Sequence, residues 1–178
     1  MKNLRFKIIL AALSFFVFFF ISIFLYPHFL MISHYQLDLE KINIVTTFST
    51  LTDSFGQRDQ FSFAIAILPI LFYTCFLIVR PCNLKQRVWI VSTTLFSGVI
   101  FWQLKVLWAY LLIRKIDYSY RSSEVKPEIS LDQFQFSLFL LIGLFTGAII
   151  NTVVFRLKNF KTAKKRVDID DVIDSELR

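Results

Sequence analysis

The sequence predicts an all-α, polytopic integral membrane protein with four transmembrane helices and both termini in the cytoplasm. Hydrophobic residues fill 56% of its 178 positions, with 22 phenylalanines and only 19% charged residues. A soluble domain of this length is less apolar and does not gather its apolar residues into long runs. Four such runs stand out, Ile8–Tyr26, Phe61–Val79, Val88–Ile113 and Phe134–Phe155, each of 19 residues or more. At about 1.5 Å per helical residue, each can cross a hydrocarbon core about 30 Å thick. None contains Asp or Glu, and Lys105 is the one charge within them. The apolar–polar alternation that a membrane barrel needs is absent from the sequence.

The first run follows a positive start, Lys2, Arg5 and Lys7. It is longer than the apolar part of a secretion signal and lacks a small-x-small cleavage site near its end, so it reads as an uncleaved first helix over 8–26. The loop 27–60 comes next. Its stretch "YQLDLEKINIVTTFSTLTDSFGQRDQ" spaces Leu37, Ile42, Val45, Phe48, Leu51 and Phe55 as a modest amphipathic pattern. That pattern predicts one or two short helices lying on the membrane face. Helix two spans 61–79, a short basic turn runs from Arg80 to Arg87, and helix three spans 88–113. The loop 114–133 carries Tyr118 and Tyr120 near the interface, where such rings belong. Helix four spans 134–155 and closes a module at residues 1–156. A tail over 157–178 begins basic, "RLKNFKTAKKR" from Arg156, and ends acidic, "VDIDDVIDSELR".

Most Lys and Arg near the helix ends lie at the N-terminus, in the Arg80–Arg87 turn and after Arg156, which places both termini inside by the positive-inside rule. Arg114, Lys115, Arg121 and Lys126 dissent, since they follow helix three on the side predicted to be outside. The net charge of +7 is accounted for largely by this topology and by the tail, whose basic stretch suits anionic headgroups.

Enzyme chemistry finds little support. No Ser/His/Asp set, carboxylate pair, phosphate-binding loop or nucleic-acid-binding patch occurs. Cys75 and Cys82 form no CxxC, and neither position favours a disulfide. His28 and His34, six residues apart, do not share a helical face and read as interface residues. The expectation is a non-enzyme with no metal and no cofactor.

Polar and small residues inside the helices supply the candidates. Gly143, Gly147 and Asn151 fall four apart on helix four and so form one stripe. Glycines spaced this way admit a neighbouring backbone, and Asn151 can add an interhelical hydrogen bond. Thr94, Gly98, Phe101, Lys105 and Ala109 make a similar stripe on helix three. Both stripes read as helix packing within the chain, or as a face for a partner subunit or a lipid groove. In helix two, Pro69 lacks the N–H that would bond the carbonyl of Ile65. Pro69 and Lys105 each lie eight residues from the outer end of their runs, about 12 Å deep, so the freed carbonyl and the ammonium are expected to meet. A lysine at the centre of a membrane helix costs about 2.5–3.5 kcal/mol. Lys105 either snorkels outward along its stem or serves as an interior cation for an anionic headgroup or substrate. With no Asp or Glu in the spans, proton-coupled pumping is disfavoured.

The stretch "WIVSTTLFSGVIFWQLKVLWAY", Trp89 to Tyr110, resembles the paraquat-inducible protein A family. There a tryptophan opens a membrane helix and a lysine follows sixteen residues later, the spacing of Trp89 and Lys105. The segment Thr46–Ile70, with Pro69, looks like the family's external stretch leading into a proline-bearing helix. "LDQFQFSLFLLIGLFTGAIINTVVFRL", ending at Arg156 and Leu157, is similar to its last helix. The chain departs from the pattern in lacking a lysine after Pro69, an acidic residue shortly after Trp89, the cysteine-rich metal-binding segment of many members, and a second module. The resemblance implies a lipid-handling or envelope-stress component of a bacterial inner membrane. Its partners would be membrane lipids and a periplasmic mammalian-cell-entry-domain protein, and Lys105 would face a headgroup path between helices two and three. A protective or accessory membrane protein, such as a four-helix bacteriocin immunity protein, is the rival in length and span number.

Overall fold

Inside a bilayer the backbone has no water to bond, so an apolar run becomes a helix and remains one until a breaker or water ends it. The computed structural model describes residues 2–37, 45–47, 56–79, 82–120 and 127–176, with side chains over 9–37, 56–79, 82–120, 127–130 and 133–159. Helices α1 (Lys2–Tyr35), α2 (Gln57–Ile78), α3 (Leu84–Tyr120) and α4 (Phe136–Glu176) dominate. Two three-residue strands, β1 (Val45–Thr47) and β2 (Glu128–Ser130), and a 3-10 turn at Leu131–Phe134 complete the described elements. Each helix holds a stretch long and apolar enough to cross a membrane: Ile9–Tyr35, Gln57–Ile78, Leu84–Tyr120 and Phe136–Asn159. The chain is an all-α, multi-pass membrane protein.

Three helices outrun their apolar cores. α1 continues through Pro27 to Tyr35, past the expected end at Tyr26; proline removes one hydrogen bond there, but the residues beyond it are still mostly apolar. α3 continues through Arg114–Asp117 to Tyr120, because no glycine or proline intervenes before Pro127. α4 continues to Glu176, so the tail expected over 157–178 begins as more of the same helix, with no glycine or proline after Gly147 to stop it. The side chains of 160–178, which carry most of the tail's basic-to-acidic change, lie outside the described residues.

The surface helices expected over 37–55 are corrected where the structure describes that segment. Val45–Thr47 is a strand, paired in parallel with β2 in the register Val45↔Glu128, Thr46↔Ile129 and Thr47↔Ser130. Consecutive β-branched residues, "IVTT" from Ile44, favour extended backbone over the helical spacing of the surrounding apolar residues. The rest of that expectation falls outside the described residues. The pairing ties the connection between α1 and α2 to the one between α3 and α4. We call this the strand end of the bundle; the other, where α2 turns into α3, is the tail end.

Many large apolar side chains of α1 point away from the bundle, while alanines of α2 and α3 point into it beside a smaller set of buried rings such as Phe61 and Phe136. Phe16, Phe20 and Phe24 are 61%, 61% and 76% exposed, while Ala64, Ala66 and Ala109 are fully buried. Lipid is as apolar as leucine, so burying a phenylalanine gains little there, whereas a small residue lets backbones close to dispersion contact. α3 packs along α4, α2 packs on both α1 and α4, and α2 barely touches α3.

Polar contacts fix both ends. At the strand end, the Trp102 indole N–H donates to Ser33 Oγ at 3.0 Å, and the Ser33 hydroxyl donates to the Phe29 carbonyl at 2.9 Å. The Phe29 ring lies tilted at 4.6 Å from Phe61 and 5.1 Å from Trp102, joining α1, α2 and α3. At the tail end, Asn83 and Gln86 cap α3 reciprocally: the Gln86 N–H donates to Asn83 Oδ1 at 2.9 Å and the Asn83 N–H to Gln86 Oε1 at 3.2 Å. Gln86 Nε2 donates to Asn159 Oδ1 at 3.1 Å, and Asn159 Nδ2 to the Val79 carbonyl at 2.9 Å. One asparagine on α4 thus clamps the end of α2 to the start of α3.

Candidate functional site

Two stripes face each other across the α3–α4 seam in antiparallel register. A Cβ added at Gly143 would lie 2.7 Å from Phe101 Cβ and 2.9 Å from Gly98 Cα; one at Gly147 would lie 2.7 Å from Ser97 Cβ. One at Gly98 would meet Leu144 at 2.8 Å. Real side-chain carbons do not approach so closely, so the glycines set the helix separation. One turn further toward the tail end, Asn151 Nδ2 donates to Thr94 Oγ1 at 3.1 Å, and Thr94 is fully buried.

At the other end of the same seam stands Lys105, half-buried. Phe139 precedes Gly143 by four residues and so lies on the same stripe of α4. The Lys105 Nζ sits 3.9 Å from the ring centre of Trp108, one turn along α3, and 4.5 Å from that of Phe139. A cation over a ring face gains about 0.5–1 kcal/mol when exposed and about 2 when desolvated. Two faces together therefore match the 2.5–3.5 kcal/mol or so of placing a lysine in a membrane helix. Among the described residues, no hydrogen bond or ion pair engages this ammonium. Its N–H donors remain available to an anion, with oxygen acceptors as the matching chemistry.

The structure brings together only some of the residues singled out from the sequence. Thr94, Gly98, Lys105, Gly143, Gly147 and Asn151 share the α3–α4 seam. Pro69 does not join them: it lies in α2, half-buried, and no hydrogen bond among the described residues links Lys105 to the Ile65 carbonyl. α4, and not α2, is the neighbour that α3 packs along, so the lysine meets Phe139 instead of the proline kink. Trp89 is 62% exposed on α3, about 24 Å from Lys105 at a helical rise of 1.5 Å. His28 is exposed and His34 half-buried, both on α1; Cys75 is buried and Cys82 half-buried.

Residues the sequence reading passed over are Phe139 and Trp108 at the lysine, and Asn83, Gln86 and Asn159 in the clamp. Asn83-x-x-Gln86 before an apolar run is a legible helix start. Phe139 continues the glycine stripe by one more step of four. Fold and site together define a multi-pass membrane protein with a cation held within its spans. Beyond that class, comparison with protein-family models, with curated proteins and with solved structures gives no match.

Proposed function

We propose that this chain is a non-enzymatic, multi-pass inner-membrane protein of a bacterium that handles lipids, binding an anionic headgroup at Lys105. The observation that carries the reading is an ammonium held over two aromatic faces at membrane depth, unengaged by any other described side chain. A membrane offers phosphate oxygens as its commonest anions, and a lysine is a point cation that accepts them without fixed geometry. The likeness of Trp89–Tyr110 to the paraquat-inducible protein A family favours the same role. It adds a periplasmic mammalian-cell-entry-domain protein as partner and tolerance of envelope stress as the phenotype. Basic residues at the N-terminus, in the turn between α2 and α3 and after Arg156 support cytoplasmic termini, which sets the strand end toward the periplasm.

The test replaces Lys105 by Leu, Gln and Arg at matched protein level in the host strain. Lys105→Leu and Lys105→Gln lose envelope-stress tolerance, whereas Lys105→Arg keeps a substantial part of it. Wild-type tolerance in both neutral variants removes the basis for a headgroup role.

A further inference from the structure

On the opposite flank of α3 from Lys105 lies a second polar feature. Gln103 is two residues before Lys105, about 200° around the helix, so it faces away from α4. With Gln36, Val106, Leu107 and Tyr110 it lines a notch of about 250 Å³ between the end of α1 and the middle of α3. Three of the five lining side chains are polar, and Gln103 lies well inside the span Leu84–Tyr120. Among the described residues, no side-chain hydrogen bond engages Gln36, Gln103 or the Tyr110 hydroxyl. An uncommitted carboxamide such as that of Gln103 is costly at membrane depth, where water does not satisfy it. Polar side chains within a membrane span that face a cavity are candidates for a binding site.

The lining chemistry selects the ligand. Each carboxamide and the phenol offer both a donor and an acceptor, which is what each hydroxyl of a polyol requires. The five lining residues include neither carboxylate nor ammonium, so none of them offers a charged headgroup a counter-charge. The volume lies just below the range of pockets for drug-sized ligands, the size of one sugar or glycerol group. The Arg114 guanidinium, 5.2 Å over the Tyr110 ring, fixes that ring on the side toward the strand end. We infer that this notch binds a neutral, hydroxyl-rich headgroup, presented by a glycolipid or as a free sugar, independently of the anion site at Lys105.

The test is native mass spectrometry of the full chain with monoglucosyldiacylglycerol, phosphatidylcholine and phosphatidic acid of the same acyl chains. Free glucose is added in excess as a competitor. The glucosyl lipid is expected to bind about tenfold tighter than phosphatidylcholine. Gln103→Met and Tyr110→Phe should each weaken it about three- to tenfold, the effect of losing one hydrogen bond. Lys105→Gln leaves glucosyl-lipid binding unchanged and lowers phosphatidic acid binding, so the two sites fail separately. Displacement by glucose identifies a free sugar as the ligand, and resistance to it identifies the lipid. Equal binding of glucosyl lipid and phosphatidylcholine overturns the inference, as does wild-type glucosyl-lipid binding by both notch variants. Thermal melts of Tyr110→Phe, which removes one oxygen, separate a binding loss from unfolding.

Discussion

α1 and the α3–α4 seam are both apolar, yet they are built on opposite plans. Of the most apolar window of α1, 6% is buried, against 33% for α4. α1 presents Phe16, Phe20 and Phe24 outward. Its anchorage is concentrated toward the strand end, where Phe29 and Ser33 meet Phe61 and Trp102. The seam instead brings Gly143 and Gly147 against α3 and ends in an Asn151–Thr94 hydrogen bond. Hydrophobicity puts a helix into a membrane without saying what it packs against. Missing side chains and paired polar groups decide that second question.

Substitutions can break this contrast. The largest effect is expected for Gly143→Leu, whose Cβ would collide with Phe101 Cβ, the Ser97 carbonyl and Gly98 Cα, all within 2.9 Å. Two of those three atoms are backbone and cannot swing aside, so the loss should reach about 3 kcal/mol, the upper part of the overpacking range. Unfolding by SDS titration in bicelles measures it. A smaller effect is expected from the polar pair. Thr94→Val, Asn151→Leu and the double variant should give a coupling of about 0.6 kcal/mol, typical of interhelical hydrogen bonds in membranes. Zero coupling would leave the glycines as the seam's sole determinant. The smallest effect is expected for Phe16→Ala, within about 0.5 kcal/mol, because a ring already facing lipid loses little. Equal losses at Phe16 and Gly143 would erase the distinction between the two regions.

What could be read from the sequence follows the same division. The four spans were legible because twenty or so mostly apolar residues with at most one charge admit almost no other structure in a chain of this length. Helix ends were not, since hydropathy marks where lipid stops while a helix without a breaker runs on through polar residues, as at Arg114–Tyr120 and Arg156–Glu176. The glycine stripe and Lys105 stood out as residue types at odds with their surroundings. The contacts of Lys105 did not, because the antiparallel register bringing Phe139 to it is fixed by packing across 33 intervening positions. Depth alone paired Lys105 with Pro69; depth is one coordinate, and it carries no information on which neighbouring helix a residue faces. The strand at Val45–Thr47 was masked by helical spacing in the residues around it, although its β-branching was in view.

The central claim, that Lys105 is an anion site rather than a lysine tolerated in a membrane helix, is tested most directly by lipid binding. Native mass spectrometry with phosphatidic acid and phosphatidylcholine should show wild type and Lys105→Arg retaining phosphatidic acid about tenfold better than Lys105→Gln, a difference of about 1.4 kcal/mol, with phosphatidylcholine unaffected. Phosphatidic acid bound as tightly by Lys105→Gln as by the wild type contradicts the account.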